Sequence, residues 1–257
     1  MQPLTIVKVG GKIVEEASSL DGLLRSFSSL DGNKLLVHGG GRSATALAAQ
    51  LGIETKMVNG RRVTDAEMLK VVTMVYGGLV NKNIVAGLQA LGVNALGLTG
   101  ADMNIMRSEK RPVKEVDYGF VGDVKEVSAE LLSSLIGQGV VPVLAPLTHD
   151  KKGNLLNTNA DVIAGEAAMA LAAFFDVTLV FCFEKKGVLS TEADDDSVIP
   201  VITPALYEQY VARGVIQGGM IPKLDNAFEA LRRGVKKVII TEAAQLGNET
   251  GTTVVLQ

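Results

Sequence analysis

Runs of β-branched and apolar residues alternate with helical segments along the chain of 257 residues, and this alternation most constrains the fold. Six runs read as buried strands: 4–9, 34–37, 93–98, 140–145, 177–183 and 236–241. Helical patterns fill 15–30, 42–51, 64–91, 128–138, 159–175, 203–213 and 222–234. Because continuous apolar strands are typical of parallel sheets covered by helices, the sequence predicts an α/β fold: a three-layer α/β/α sandwich with a central, mainly parallel open sheet.

Three polar, turn-rich inserts predict β-hairpins rather than crossovers: 53–58, 103–124 and 149–156, the last with a turn from Asp150 to Gly153. No Pro-rich linker divides the chain. We expect two lobes, 1–174 and 175–257, and two strands in the second lobe.

Composition excludes some functions. The 25 basic and 28 acidic residues give a formal net charge of −3, so a chain-wide attraction to nucleic acid or anionic membrane is not expected. The single cysteine, Cys182, sits in an apolar run and predicts a buried thiol in a reducing, cytoplasmic compartment. The uncharged stretches 83–101 and 131–149 read as helix, turn and strand, so no membrane span is predicted.

Many of the 28 glycines fall where strands end or helices begin. Four clusters stand out: Lys8-Val-Gly10-Gly11-Lys12, Val37-His-Gly39-Gly40-Gly41, Gly97-Leu-Thr-Gly100-Ala-Asp102 and Gly218-Gly219-Met-Ile-Pro222-Lys223. Ligands of parallel sheets bind beyond the carboxyl ends of the strands, where glycine lets backbone N–H groups approach a phosphate. The four clusters therefore predict an anion site.

Two lysines belong to these clusters. Lys8 lies in an otherwise apolar strand, where a charge is costly unless it is paired or faces a site. Lys223 follows Pro222 and so lies in a first helical turn, the end of a helix that disfavours a cation unless an anion is present. The alternatives are a strand-end lysine reaching solvent and an exposed surface lysine.

Polar residues elsewhere suggest recognition. Arg61 and Arg62 offer bidentate binding of a carboxylate or phosphate, or are simply surface residues of a turn. Asn157, Asn159 and Asp161 precede a long helix; an N-cap explains one of the three, not all.

Several site types are disfavoured. The Walker pattern is absent, and although Gly39, Gly41 and Ala44 match the dinucleotide fingerprint, no clear acidic residue ends the next strand. His38 and His149 lack the paired spacing of a zinc site, and we interpret His38 as a structural strand-end residue. No metal ligands are predicted.

Phosphoryl transfer to a carboxylate is compatible with this lack of acid–base residues. The carboxylate is already ionised at neutral pH, so the reaction needs no general base.

Six motifs resemble those of the amino-acid kinase family, and within it the N-acetylglutamate kinases. In order they are Lys8-Val-Gly-Gly11, Val37-His-Gly-Gly-Gly41, Asn59-Gly-Arg-Arg-Val-Thr-Asp65, Gly119-Phe-Val-Gly-Asp-Val124, Asn157-Thr-Asn-Ala-Asp161 and Gly218-Gly-Met-Ile-Pro-Lys223. They span almost the whole chain. The resemblance implies ATP- and Mg²⁺-dependent phosphorylation of the γ-carboxylate of an N-acyl-L-glutamate, in arginine biosynthesis.

The resemblance also implies roles for particular residues. Lys8 and Lys223 would neutralise the transferring phosphoryl group, and Asp161 would orient them. Binding residues are implied on both sides: Gly39, Gly40, Arg62 and Asn157 for the acylglutamate, and Gly10, Gly11, Gly187 and Gly219 for ATP. The lobe 1–174 would bind the acylglutamate and the lobe 175–257 ATP–Mg²⁺. A homodimer without arginine regulation is implied because no extra helix precedes the first strand.

The sequence departs from the family pattern twice. Phe183-Glu-Lys-Lys-Gly187 stands where the family shows Thr-Asp followed by Val-Pro-Gly, on the adenine and ribose side. Arg61 stands where an apolar residue is common, which suggests either an acyl group with a further carboxylate, as in N-succinylglutamate, or an exposed arginine. Other readings are a kinase for another small acid such as carbamate or glutamate, a non-catalytic amino-acid sensor, and a dinucleotide-dependent oxidoreductase.

Overall fold

The computed structural model describes residues 1–58, 60–248 and 250–257, so Asn59 of the predicted motifs lies outside the described residues. The strands are β1 Gln2–Val9, β2 Asn33–His38, β3 Met57–Val58, β4 Arg61–Arg62, β5 Ala95–Leu98, β6 Met106–Lys110, β7 Gly122–Val127, β8 Val141–Leu144, β9 Leu147–His149, β10 Leu155–Asn157, β11 Phe175–Phe183, β12 Val201–Ile202, β13 Lys237–Glu242 and β14 Thr252–Val254. The α-helices are α1 Gly11–Glu15, α2 Ala17–Ser28, α3 Gly41–Gln50, α4 Ala66–Val72, α5 Asn81–Ala90, α6 Ala129–Gly137, α7 Ala160–Leu171, α8 Pro204–Ala212 and α9 Met220–Arg232.

Eight strands form the central sheet, in the order β12-β14-β13-β11-β1-β2-β8-β5. All neighbouring pairs run parallel except β13 with β14. The six predicted strands all lie in this sheet, and one apolar core packs on each of its faces. The predicted three-layer α/β/α sandwich is therefore confirmed.

Side chains of β1 alternate between the two cores. Leu4 and Ile6 pack in the core that contains α7 and α9, whereas Val7 and Val9 pack in the core that contains α3 and the long helix Ala66–Ala90. Because strand side chains alternate with a period of two, Lys8 faces α7 and α9. The same alternation in β2 turns His38 toward the opposite layer, since Leu35 and Val37 belong to the α7 and α9 side.

Antiparallel hairpins form near the three predicted inserts, but the bounds predicted for the first, 53–58, are wrong, because its strands are Met57–Val58 and Arg61–Arg62. β3 pairs antiparallel with β4, β6 with β7, and β9 with β10 around the turn at Asp150. Strands β10, β9, β6 and β7 form a separate four-stranded sheet. It brings Asn157, at the end of β10, beside Thr64.

Several predicted boundaries are wrong. The helix predicted at 15–30 is two helices, broken where Glu16 is extended and accepts from Ser19 Oγ. The described part of the segment 175–257 holds four strands rather than two, because β12 and β14 are too short to show as apolar runs. Phe175 ends the predicted helix 159–175 but instead starts β11, where it pairs with Gln2.

The helix Ala66–Ala90 has the length and apolar composition of a membrane span, by those two criteria alone. Its buried residues, among them Met68, Val71 and Ile84, pack in the core on one face of the central sheet. A core helix passes the same test of length and composition. Residues Thr73–Val80 within it form a π-helix.

Candidate active site

An ion cluster lies at the carboxyl end of β1. Lys8 Nζ is 2.8 Å from Asp161 Oδ1, and Lys223 Nζ is 2.9 Å from Asp161 Oδ2. The three side chains are only 12%, 13% and 19% exposed, for Lys8, Lys223 and Asp161 respectively. The structure thus brings together the three residues predicted to be catalytic, although they are far apart in sequence.

The start of α7 sets the position of Asp161. The N-cap is Asn159, whose side chain accepts hydrogen bonds from the N–H groups of Asp161 and Val162. An N-cap therefore explains Asn159 and leaves Asn157 and Asp161 for other roles.

Lys223 lies in the first turn of α9, as predicted, but the helix begins two residues before Pro222, at Met220. Proline is still tolerated there because the first four N–H groups of a helix have no internal partner. The Lys223 Nζ also lies 5.2 Å from the centre of the Phe181 ring. A cation over an aromatic face is stabilised by about 0.5–2 kcal/mol.

The cluster holds a net charge of about +1. Burial alone would raise the pKa of Asp161, but the charges of Lys8 and Lys223 outweigh burial and lower that pKa to about 2. Burial lowers the pKa of Lys223, opposed by Asp161. With both lysines protonated and Asp161 ionised, one positive charge remains to meet an anion.

The glycine loops after β1 and β2 face each other. A Cβ on Gly11 would lie 3.7 Å from both Gly40 N and Gly41 N. The N–H of Gly39 donates to Val9 O at 3.2 Å, and that of Gly10 donates to Cys182 O at 2.9 Å. These two N–H groups are therefore engaged within the sheet edge, whereas the N–H of Gly40 has no acceptor among the backbone hydrogen bonds of the described residues.

A cavity of ≈ 240 Å³ opens beside the cluster. All four residues expected to bind the acylglutamate line it: Gly39, Gly40, Arg62 and Asn157. Ala160 and Val162, which flank Asp161, line it as well. The cavity therefore lies beside the turn of α7 that carries Asp161.

Arg62 projects along one wall of this cavity. Its Nη2 donates to Gly41 O at 2.7 Å and to Thr45 Oγ1 at 2.9 Å, at the N-terminal turn of α3. Among residues 1–58, 60–248 and 250–257, no carboxylate forms an ion pair with Arg62 or Arg61. The Asn157 Nδ2 donates to Thr64 Oγ1 at 2.9 Å, which leaves its Oδ1 available to a ligand.

A second cavity, of ≈ 390 Å³, lies near the start of α9. Phe183 and Gly187 line it, together with Met220 at the start of α9. Gly219 is the N-cap of α9, next to Met220. A Cβ on Gly187 would lie 2.8 Å from Thr252 Oγ1, so close packing requires glycine there. The Phe183 ring, 5.9 Å from Lys223 Nζ, links this cavity to the ion cluster.

Sequence reasoning missed residues that line the first cavity, notably Tyr76 and Arg111. Tyr76 lies in an apolar helix, where its pattern is that of a core residue. Arg111 Nη2 pairs with Asp123, across the hairpin formed by β6 and β7. The order of strands in a small accessory sheet, which no local pattern shows, brings Arg111 to the cavity.

The prediction that Cys182 is a buried thiol is confirmed. Cys182 is buried, and burial raises the pKa of its thiol to about 12, which makes it inert. No three His, Cys, Asp or Glu side chains cluster as metal ligands within the described parts of the chain.

Comparison with known proteins identifies the family. The model of the amino acid kinase family matches residues 3–242. The chain belongs to this family. It is 72% identical over 254 residues to the acetylglutamate kinase of Parabacteroides distasonis, covering 99% of this chain and 100% of that protein. It is also 72% identical to the acetylglutamate kinase of Phocaeicola vulgatus, covering 98% of each. A crystal structure from Streptococcus mutans superposes with a TM-score of 0.83 at 28% identity, covering 99% of both chains. The predicted resemblance is confirmed.

Proposed function

We propose that the chain transfers the γ-phosphoryl group of ATP to the γ-carboxylate of N-acetyl-L-glutamate, the reaction named for its 72%-identical relatives. The observation that carries this proposal is the ion cluster of Lys8, Asp161 and Lys223. The neighbours of Asp161 line one cavity, and Phe183, whose ring is 5.9 Å from Lys223 Nζ, lines another. Arginine biosynthesis is the implied context.

The chemistry requires charge neutralisation more than proton transfer. The γ-carboxylate is ionised at neutral pH and attacks the γ-phosphorus directly, while the bond to the bridging oxygen of ADP breaks. Negative charge develops on the transferring oxygens. Lys8 and Lys223 each pair with one carboxylate oxygen of Asp161, which keeps the two ammonium groups close together. Fixed charges of this kind need no reorganisation during the reaction.

The acylglutamate occupies the cavity of ≈ 240 Å³ in this proposal. Arg62 pairs with the α-carboxylate, and Asn157 hydrogen-bonds the acylamino group. Gly40 donates its N–H to the reacting end. The N–H of Gly39 already donates to Val9 O, so it does not bind substrate. Gly39 instead lets the substrate come close to the backbone because it has no side chain.

ATP occupies the second cavity in this proposal, with residues 175–257 as the nucleotide lobe and 1–174 as the acylglutamate lobe. Gly187 lines this cavity, and Gly219 directly precedes Met220, which also lines it. In this proposal Gly10 and Gly11 approach the phosphates of ATP. The described residues offer no cluster of three metal ligands, and Asp161 already pairs with two lysines. Mg²⁺ therefore enters with ATP, held chiefly by the phosphates and water.

The test is ADP release with ATP and a panel of N-acetylglutamate, N-succinylglutamate, glutamate, aspartate and carbamate, with hydroxylamine to trap the acyl phosphate. We expect a hydroxamate only with an N-acylglutamate. No turnover with any N-acylglutamate overturns the proposal. Turnover with free glutamate or carbamate alone assigns another small-acid kinase, and binding without turnover assigns an amino-acid sensor.

The identity of the acyl group is a second question. A further cavity of ≈ 430 Å³ adjoins the first and shares Arg61, Arg111 and Asp123 with it. Lys114 also lines this cavity. These cations favour an acyl group that ends in a carboxylate, such as succinyl. Against this, Arg61 is exposed and Arg111 is already paired with Asp123.

Arg61→Leu distinguishes the two acyl groups. If Arg61 binds a terminal carboxylate, kcat/KM for N-succinylglutamate falls about tenfold relative to that for N-acetylglutamate, the loss of one exposed charged contact. An unchanged ratio of the two kcat/KM values leaves Arg61 as a surface residue.

We also propose a cytoplasmic homodimer. Exposed apolar side chains lie on the π-helix, at Met74 and Leu79, and on the edge strand β5, at Leu96. A second copy of the chain would cover them. Light scattering that gives a monomer or a hexamer contradicts the dimer.

A further inference from the structure

A buried histidine, His38, forms a hydrogen bond with the peptide group between Gly39 and Gly40. His38 Nδ1 lies 2.7 Å from Gly39 O, and its Nε2 lies 3.1 Å from Asn81 Nδ2. His38 is fully buried. A carbonyl oxygen only accepts, so Nδ1 carries the proton of the neutral ring.

Asn81 fixes that tautomer. Its Nδ2 also donates to Val143 O at 2.9 Å, and its Oδ1 accepts from Lys82 Nζ at 3.1 Å. These two contacts orient the amide with its nitrogen toward His38. The amide nitrogen donates, so His38 Nε2 must be the acceptor and lacks a proton. Every polar atom of the pair is thereby satisfied in one arrangement.

The hydrogen bond to Gly39 O also sets the direction of the next N–H. The C=O of Gly39 and the N–H of Gly40 belong to one planar trans peptide, and in such a peptide the two bonds point in opposite directions. Since Gly39 O points to the buried ring of His38, Gly40 N–H points away from it. Gly40 lines the cavity assigned to the acylglutamate, so its N–H is aimed toward that side.

A second residue of the long helix Ala66–Ala90, Tyr76, packs against Gly40. Gly40 has φ +155°, and a Cβ there would lie 3.0 Å from Tyr76 Cδ1, so only glycine fits beneath the ring. Tyr76 and Asn81 are five residues apart. Tyr76 lies within the π-helix Thr73–Val80, and Asn81 begins the α-helix that follows it. One continuous helix, Ala66–Ala90, therefore contacts both Gly40 and His38.

We propose that His38, held as the Nδ1–H tautomer by Asn81, is a positioning residue that aims the Gly40 N–H at the reacting oxygen atoms. It neither abstracts a proton nor touches substrate. The proposal rests on the function proposed above, because it names the group that orients one donor of that site.

Two substitutions separate the two nitrogen atoms of the ring. In His38→Asn the amide nitrogen takes the place of Nδ1 and keeps a donor for Gly39 O. In His38→Gln the amide takes the place of Nε2 and keeps only the partner of Asn81. Both variants carry a side-chain amide. His38→Asn loses the contact with Asn81, whereas His38→Gln loses the hydrogen bond to Gly39 O.

We expect His38→Gln to lower kcat by about 30- to 100-fold and to change the KM of each substrate by less than about threefold. The reason is that the Gly40 N–H stabilises the transition state more than the bound substrates, so its loss of alignment affects mainly kcat. His38→Asn should recover at least tenfold of that loss. Equal kcat values for the two variants, or an intact kcat in His38→Gln, overturn the proposal. The thermal midpoint of each variant shows whether it folds.

A second measurement does not depend on turnover. Nitrogen-15 NMR of the wild-type imidazole at pH 7 should show Nδ1 protonated and Nε2 unprotonated. The opposite tautomer overturns the positioning role even if the enzyme is active. Failure of the proposed function appears separately, as absence of turnover by the wild-type protein with any N-acylglutamate, and leaves the tautomer assignment standing.

Discussion

The two cavities beside the ion cluster are built differently. The side proposed to bind the acylglutamate is fixed by buried contacts between residues distant in sequence, such as Asn157 with Thr64 and Asn81 with His38. The side proposed to bind the nucleotide is bordered by an exposed loop in which Lys185 pairs with Asp195 and Lys186 with Asp196. Buried hydrogen bonds specify one geometry, whereas exposed ion pairs contribute little. The comparison implies that the acylglutamate side is rigid and the nucleotide side adjustable.

The largest effect is expected in the cluster that both sides share. Asp161→Asn removes the charge that holds Lys8 and Lys223 together, and their mutual repulsion then displaces both ammonium groups. We expect kcat to fall by about 10³-fold, the scale of losing a main electrostatic contact of the transition state. Steady-state ADP release measures the effect.

The matched control is Asp21→Asn, which removes an exposed carboxylate paired with Arg25 on α2. Its kcat should stay within about twofold of wild type, as exposed ion pairs contribute little. A similar kcat for Asp161→Asn and Asp21→Asn would contradict the role of the cluster, provided that the thermal midpoint shows Asp161→Asn to be folded.

The next effect concerns stability on the acylglutamate side. Burial lowers the pKa of His38 to about 4, opposed by its hydrogen bond to Gly39 O and reinforced by Lys82. Below pH 6.5 the unfolded chain protonates this histidine and the folded chain does not, so the free energy of unfolding falls as pH drops from 6.5 to 4. The loss is about 3 kcal/mol in total, at 1.4 kcal/mol per pH unit.

Urea unfolding between pH 4 and pH 7 tests this. His38→Asn has no titrating group at that position, so its free energy of unfolding should depend less on pH over this window. Parallel curves for the wild type and His38→Asn would show that His38 titrates normally and is not locked in the neutral form.

Arg62 should give a smaller effect on binding. Its guanidinium already donates to Gly41 O and Thr45 Oγ1, which orients the group before substrate arrives. Arg62→Lys keeps the charge but loses the planar fork, so we expect the KM for N-acetylglutamate to rise about tenfold with little change in KM for ATP. Arg25→Lys, on the exposed face of α2, is the matched control. Equal increases in both KM values would contradict a place for Arg62 on the acylglutamate side.

The difference between the two sides also explains what could be predicted from sequence. The six buried strands show as apolar runs because both of their faces are covered, and they place the glycines at one edge. The pairing of Asn81 with His38 and the π-helix that precedes Asn81 leave no local signal in the sequence. Short strands such as β12, and the start of α9 before Pro222, likewise depend on tertiary packing rather than on local pattern.

The smallest effect is expected in the nucleotide-side loop. Lys185 lines the second cavity and is bonded to Asp195 on the surface. In Lys185→Ala the thermal midpoint should not change measurably, because an exposed ion pair gains little after the side-chain entropy that it costs. Because Lys185 is exposed and already paired with Asp195, the KM for ATP should rise by only about two- to fivefold, the scale of a solvent-screened charge. A large drop in the thermal midpoint would show that this loop is as rigid as the acylglutamate side, and the contrast between the two cavities would then be wrong.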